Sequence, residues 1–360
     1  MSKLAQDHNA INLSQGFPDF PVDSVLIDYV AEAMRDGHNQ YAPMPGLPQL
    51  RENLSKRHHI DYGFRYDPEK EITITPGATQ AIQSVIASTV GPGDEVVLFA
   101  PAYDCYAPMV RAAGGEPIWV KLNSDDFSVP HEAFRNAINK RTRLVIVNNP
   151  HNPCGTVWTD ADVALLIYLQ TQFGFYILAD EVYEKICFTK GGFRSFATYQ
   201  PLRSCTFLVY SFGKTFHATG WKMGYVLAPE ALMAPLRQFF QYAVFSVNTP
   251  MQKGIADYVF QADYRQLNRM YREKQQIFET AMCETGFKPL PTDGSYFQLY
   301  DYSEVSNLDD VTMAEWLTLE KGVASIPVSV FYPERPDIKY LRFCFAKRDE
   351  VLREAAQRLR

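Results

Sequence analysis

Short, continuously apolar runs recur through the middle of the chain, and stretches with apolar positions at helical spacing fill most of the gaps. The runs are Glu71–Thr75, Glu95–Ala100, Pro117–Lys121, Arg143–Asn148, Phe175–Ala179, Thr206–Tyr210 and Tyr225–Ala228. Each is too short for a buried helix and reads as a strand covered on both faces. Such strands alternating with helices predict an α/β fold with a mostly parallel, seven-stranded sheet between helices. The helical signals are local. Asp23 stands at an N-cap, Leu26, Tyr29, Val30 and Ala33 share one face behind it, and Gly37 stops the run. Leu47, Leu50 and Leu54 mark another helix with Pro48 in its first turn. Pro76–Gln80 opens a third, running to about Val90.

Near Ala262 the pattern changes. A charged amphipathic helix, Tyr264 to about Glu284, leads into a more alternating region with strands at Ser295–Tyr300, Val323–Ile326 and Tyr340–Phe345. A last helix runs from Asp349 to the end. This half predicts a smaller α+β domain joined by the long helix. The division expected is a large domain over 22–263, with 1–21 and 264–360 forming the small one. The segment Asn12–Pro21 and the stretch Asn39–Gly46 are too rich in glycine and proline to be regular.

Composition narrows the function classes. The net charge of −6 disfavours non-specific nucleic-acid binding, and no apolar run reaches membrane-spanning length. The first residues carry no apolar h-region, so a cytoplasmic protein is expected. The six cysteines show no metal-ligand or redox spacing and the seven histidines no HExxH-type cluster, so no metal is expected.

Chemistry-bearing residues gather where the predicted strands end, the place where α/β proteins bind ligands. Gly77-Ala78-Thr79 joins a strand to a helix N-terminus, which reads either as a phosphate site or as a plain helix start. Asn148 to Gly155 is a dense turn in which Asn152 is a ligand candidate, or its asparagines bond only their own backbone. Asp180 follows a buried strand directly, either as a helix cap or as a carboxylate paired with a buried cation. Ser211, Lys214 and Lys222 follow the next strand. A lysine there, partly desolvated, becomes a nucleophile toward carbonyls; a solvated surface cation is the plainer alternative. Arg342, in an otherwise apolar and aromatic strand, can clamp a carboxylate with two hydrogen bonds or form an edge ion pair. Together these groups suit pyridoxal phosphate, with a lysine for its aldehyde, an acid for its ring nitrogen and donors for its phosphate.

In these motifs the sequence resembles the class I aminotransferases, of the pyridoxal-phosphate-dependent transferase fold (type I). It is similar above all to the branch of bacterial methionine aminotransferases and kynurenine aminotransferase/glutamine transaminase K. The resemblance runs almost end to end, through Asn12–Phe20, Gln40–Pro43, Tyr103–Tyr106, Asn149–Pro153, Asp180–Tyr183, Ser211–Gly224 and Arg342–Phe345. It implies pyridoxal 5'-phosphate as cofactor, Lys214 as the Schiff-base lysine and proton shuttle, and Asp180 as partner of the ring nitrogen. It further implies that Tyr183 and Asn152 bond the ring 3-oxygen and that Tyr103 stacks on the ring. Ala78, Thr79, Ser211 and Lys222 match the phosphate shell. Tyr41 matches a tyrosine that reaches the neighbouring subunit's phosphate, which implies a homodimer with shared active sites. Arg342 matches the α-carboxylate clamp, aided by Asn152 and the backbone at Gly16. The family's pattern includes a further stretch ahead of this chain's first residue, over the site or the dimer contact.

The implied reaction is ping-pong transfer of an amino group from an amino acid to a 2-oxo acid. Phe17, Phe20, Tyr41, Tyr103, Phe245 and Phe331 suggest an apolar, aromatic-lined pocket, and no second cation stands out for an acidic side chain. Methionine is the expected donor, with aromatic amino acids, histidine or glutamine beside it. Two alternatives stay open: a carbon–sulfur β-lyase on the same scaffold, and a non-catalytic binding module. Tyr183 speaks against the first, since lyases of this resemblance differ after the aspartate. The joint presence of Lys214, Asp180 and Arg342 speaks against the second.

Overall fold

The computed structural model describes residues 1–360. Its strands are β1 (Ile11–Asn12), β2 (Ile72–Thr75), β3 (Glu95–Ala100), β4 (Glu116–Lys121), β5 (Thr142–Asn148), β6 (Tyr176–Asp180), β7 (Thr206–Ser211), β8 (Gly224–Leu227), β9 (Lys288–Pro289), β10 (Phe297–Asp301), β11 (Val323–Ala324), β12 (Ile326–Pro327) and β13 (Tyr340–Cys344). Seven of them form one sheet in the order β2-β8-β7-β6-β5-β3-β4, parallel throughout except that β8 runs against both neighbours. The runs read as strands from their apolar content are these seven, with ends moved by a residue or so. Central strands such as Val96–Leu98 and Ile177–Ala179 are buried completely, so no polar alternation survives in them.

Local chemistry sets the helices that cover the sheet. Asp23 accepts from the Val25 amide at 2.9 Å and starts the helix Ser24–Arg35. Thr159 and Asp162 form a reciprocal capping box on Asp160–Phe173, and Gly174 at φ +74° ends it in the left-handed conformation. Each such cap contributes about 1 kcal/mol.

A second apolar core lies beyond the long helix Tyr264–Met282. Tyr271, Phe278, Tyr296, Phe343 and Leu352 belong to it, each completely buried. Burying a side chain of this size contributes roughly 2 kcal/mol. The four-stranded sheet there runs β12-β13-β10-β9. Two expectations differ from what forms. Val323–Ile326 is not one strand: it breaks at Ser325, so that β11 pairs in parallel with β1 while β12 pairs with β13. β10 does not alternate, because both its faces are buried: Phe297 and Tyr300 lie in the second core and Leu299 in the core of the large sheet. Ahead of the irregular segment, Ser2–Asp7 is helical, and β1 brings Leu13 under Ala324 and Cys344 through backbone bonds of 3.0 and 2.8 Å.

Candidate active site

The strand order makes the crevice. From β3 the chain steps outward to β4, whereas from β5 it steps the other way to β6 and β7. Loops leaving the carboxyl ends on the two sides of this reversal diverge and leave a gap. Asn148, Asp180 and Ser211 are the last residues of three adjacent strands and stand at that gap. A cavity of about 640 Å³ opens there. It is lined by Gly16, Ala78, Thr79, Tyr103, Asn152, Asp180, Tyr183, Ser211, Lys214, Lys222 and Arg342. Eleven of the twelve site residues expected from sequence therefore share one cavity.

Asp180 is 3% exposed. Its Oδ2 accepts from the Tyr106 hydroxyl at 2.5 Å, and the Val182 amide reaches Oδ1 at 3.4 Å. Burial pushes its carboxyl up to about 6, held back by the Tyr106 and Val182 bonds and by Lys214. It caps no helix; the chain turns after it. A buried acid in this condition gains most from a cationic N–H partner.

Lys214 sits in a one-turn helix, Phe212–Thr215, rather than in a free loop. Its stem keeps some surface open to the cavity, while its amine lies 2.8 Å from the Tyr296 hydroxyl and 3.3 Å from the Gly16 carbonyl. Burial lowers its pKa to about 8; Arg342 and Lys222 press the same way, while Cys344 and Asp180 oppose. An appreciable share is thus neutral near pH 7, as a nucleophile or base requires.

Arg342 crosses from β13 to the same cavity. Its Nη1 donates to Asn152 Oδ1 at 2.8 Å and its Nη2 to the Ser14 carbonyl at 2.9 Å. The guanidinium lies 3.9 Å from the centre of the Phe297 ring. No carboxylate pairs with it, so an edge ion pair does not form; the fork stays charged and available. Asn152 is in turn placed by its backbone N–H, which donates to Asn148 Oδ1 at 2.7 Å.

At the far wall the helix Gly77–Thr89 points its N-terminus into the cavity. Its cap is Pro76, which supplies no side-chain acceptor, so the first-turn amides keep their donors for a ligand. Gly77 holds φ +79°, and a Cβ there would sit 3.4 Å from Lys222 Cε. Lys222 itself takes a left-handed φ of 54°, which turns its side chain toward that helix end. With Ser211 these groups make an anion cradle.

The remaining placements sharpen the pocket. Phe17, Tyr103, Val330 and Phe331 line it. Phe20 does not: it packs edge-on against His217 at 4.6 Å and belongs to the second core. Tyr41 and Phe245 are outside the cavity as well, touching at 5.2 Å on the surface, with Tyr41 80% exposed. Two residues escaped the sequence reading, Tyr106 and Tyr296. Both hydroxyls are spent on site residues, yet each ring sits in an apolar stretch that reads as core.

Comparisons with known proteins bear on this arrangement. The family model for "Aminotransferase class I and II" matches residues 8–359. A methionine aminotransferase of Escherichia coli (strain K12) is 45% identical, over all of this chain and 94% of its own length. The solved structure of YbdL from Escherichia coli, reported with a methionine aminotransferase function, is 45% identical and superposes with a TM-score of 0.97, covering 100% of this chain and 94% of that one. Human kynurenine–oxoglutarate transaminase 3 is 31% identical over 99% of this chain and 86% of its own.

Proposed function

The chain belongs to the class I and II aminotransferases, and from that premise we propose that it moves the amino group of methionine to a 2-oxo acid, with aromatic amino acids, histidine or glutamine as further donors. The cofactor is pyridoxal 5'-phosphate, and the residues present fit it. The uncapped amides of Gly77, Ala78 and Thr79, with Ser211 and Lys222, suit its phosphate. The free acceptor capacity of Asp180 suits its ring nitrogen, and Asn152 and Tyr183 suit its ring oxygen. Tyr103 offers a ring face on the opposite wall. When bound, the cofactor supplies an aldehyde for amine exchange and an electron-withdrawing ring.

The chain's own residues do the rest. Arg342, steadied by Asn152, Ser14 and the Phe297 ring, takes the substrate α-carboxylate in its fork. The Lys214 amine would take the substrate's α-proton and hold it for return on the cofactor side, which its lowered pKa permits near neutrality. Phe17, Val330 and Phe331 keep water from the reacting carbon and accept an unbranched, apolar side chain such as methionine's. That reading is supported by the methionine aminotransferases of 45% identity.

The single observation that carries the proposal is the convergence of the Lys214 amine, the Asp180 carboxylate and the Arg342 guanidinium on one cavity. We further propose a homodimer, with the exposed Tyr41–Phe245 pair in the contact and Tyr41 reaching the partner's phosphate. All six cysteines are unpaired, which suits the reducing cytoplasm. We propose the same division of labour for the domains, with 22–263 carrying the cofactor walls and 1–21 with 264–360 carrying Gly16 and Arg342.

The test is spectroscopic. The visible absorbance of the loaded protein should disappear on adding methionine alone and return on adding a 2-oxo acid. The product should be the 2-oxo acid that keeps the methylthio side chain. Pyruvate formed from a cysteine conjugate, with its thiol released, would instead establish the β-lyase, and absence of a visible band in protein supplied with the cofactor would overturn catalysis. Turnover of aspartate in preference to methionine would overturn the assignment of donor.

A further inference from the structure

We infer that the Tyr296 hydroxyl is the resting place of the Lys214 amine: a positioning residue that holds the amine at the cavity wall whenever it is not joined to the cofactor, and ties it to the Gly16 loop. The inference rests on the reading of Lys214 given above.

Tyr296 is completely buried. Its ring is fixed edge-on to Tyr183 at 5.1 Å and to Phe297 at 4.9 Å, with Tyr271 at 5.8 Å. A ring locked on three sides cannot swing its hydroxyl away. The hydroxyl carries one proton, which goes to the Gly16 carbonyl at 2.6 Å. A carbonyl only accepts, so the phenol oxygen keeps its lone pairs for the Lys214 N–H at 2.8 Å. Burial raises the phenol well above the usual tyrosine range, so it does not ionise and form a salt bridge that would trap the amine. The contact is a hydrogen bond: strong enough to aim the amine, weak enough to release it.

The loop is shaped to this contact. A Cβ on Gly16 would meet Phe297 Cζ at 2.5 Å and Tyr296 Cε2 at 3.2 Å, so the backbone lies flat on the two rings and only glycine fits. Ser14 and Phe17, on either side, line the cavity, and Ser14 holds Arg342. Tyr296 thus links the amine that exchanges with the substrate to the loop that steadies the carboxylate clamp.

Tyr296→Phe keeps the ring and deletes the hydroxyl. Tyr300→Phe is the control: it lies in β10, the strand that follows Tyr296 directly, is equally buried, and its hydroxyl has no partner. The groups facing Lys214 and Tyr296 (Asp180, Tyr183, Lys222, Tyr271, Arg342 and Cys344) are left in place. The first readout needs no turnover: the rate at which apo protein takes up pyridoxal phosphate as a function of pH. An oxygen that accepts from an ammonium favours the charged form, so its loss lowers the midpoint of that profile, by about one unit. The second is steady-state turnover with methionine, where kcat should fall about tenfold while KM stays within twofold, because the contact serves the amine and not substrate binding. Tyr300→Phe should move neither. An unmoved midpoint in Tyr296→Phe overturns the inference, as does an equal fall in kcat in both variants, which would mark a packing effect. A visible imine band that forms unchanged when Lys214→Ala protein takes up pyridoxal phosphate would overturn this inference and the reading beneath it together, and is told apart because it concerns Lys214 itself.

Discussion

Lys214 carries a charge where the fold resists one. A base whose folded pKa is depressed, here to about 8, opposes folding while it is protonated and ceases to as the pH rises through the unfolded value. Lys214→Met should therefore stabilise the apo protein at pH 7 by about 2 kcal/mol, allowing for the part of the stem open to the cavity, and the gain should shrink toward pH 10.5. Chemical denaturation at several pH values checks this; a destabilised variant at neutral pH contradicts it. Asp180 is the matching acid. Asp180→Ala should reduce turnover of methionine at least a hundredfold and leave Tyr106 with an unpaired hydroxyl, readable as loss of kcat with the fold retained by circular dichroism. Both residues were legible because a charge directly after a buried strand breaks the apolar pattern. Tyr106 and Tyr296 were not, because a tyrosine in an apolar run has the same signature whether its hydroxyl is idle, as in Tyr300, or spent on a reacting group.

Between residue and molecule, the end of β6 is held by a second acid. Glu181 accepts from the hydroxyls of Ser195 and Tyr210, each at 2.7 Å, and from the Phe196 amide at 2.7 Å, binding the strand end to a crossing loop and to β7. Burial nevertheless pushes its carboxyl up to about 8. A carboxyl with a raised folded pKa binds its proton more tightly when folded, so stability is largest below the unfolded value, near 4.5, and drains as the pH rises toward 8. Glu181→Gln should flatten that slope in a melt series from pH 5 to 8, keeping most of its bonds as a neutral amide; a slope unchanged by the substitution would show that other groups carry it. At this scale the long elements were readable because their periodicity repeats. β1 and β9, of two residues each, were not, nor was the break that divides Val323–Ile326 into β11 and β12: so few positions contain no period, and only pairing with distant backbone decides them.

For the whole molecule, assembly and chain closure decide the outcome. The exposed Tyr41, Tyr242 and Phe245, at 80, 87 and 52%, leave an aromatic surface that a second copy should cover, and sedimentation should report a dimer at micromolar concentration. Tyr41→Ala should weaken cofactor retention if that residue serves the partner's site, read as faster loss of visible absorbance on gel filtration. Leu13, completely buried, fastens the first segment to the second core, and Leu13→Ala should cost about 2–4 kcal/mol. The sequence declared that both ends of the chain contribute to the site, since Gly16 and Arg342 belong to motifs. It did not declare that β1 lies beside β11, because register between segments so far apart leaves no mark in either one.

That pairing has a meaning in time. Ile11 meets Val323, so β1, once made, waits for most of this chain to be read before it has a neighbour. At about 5–20 residues per second the delay is on the order of tens of seconds. During it the lysine and the aspartate already stand on a finished sheet, while the arginine and the loop that steadies it do not exist as a unit. A nascent chain can therefore hold its cofactor before it can hold a substrate.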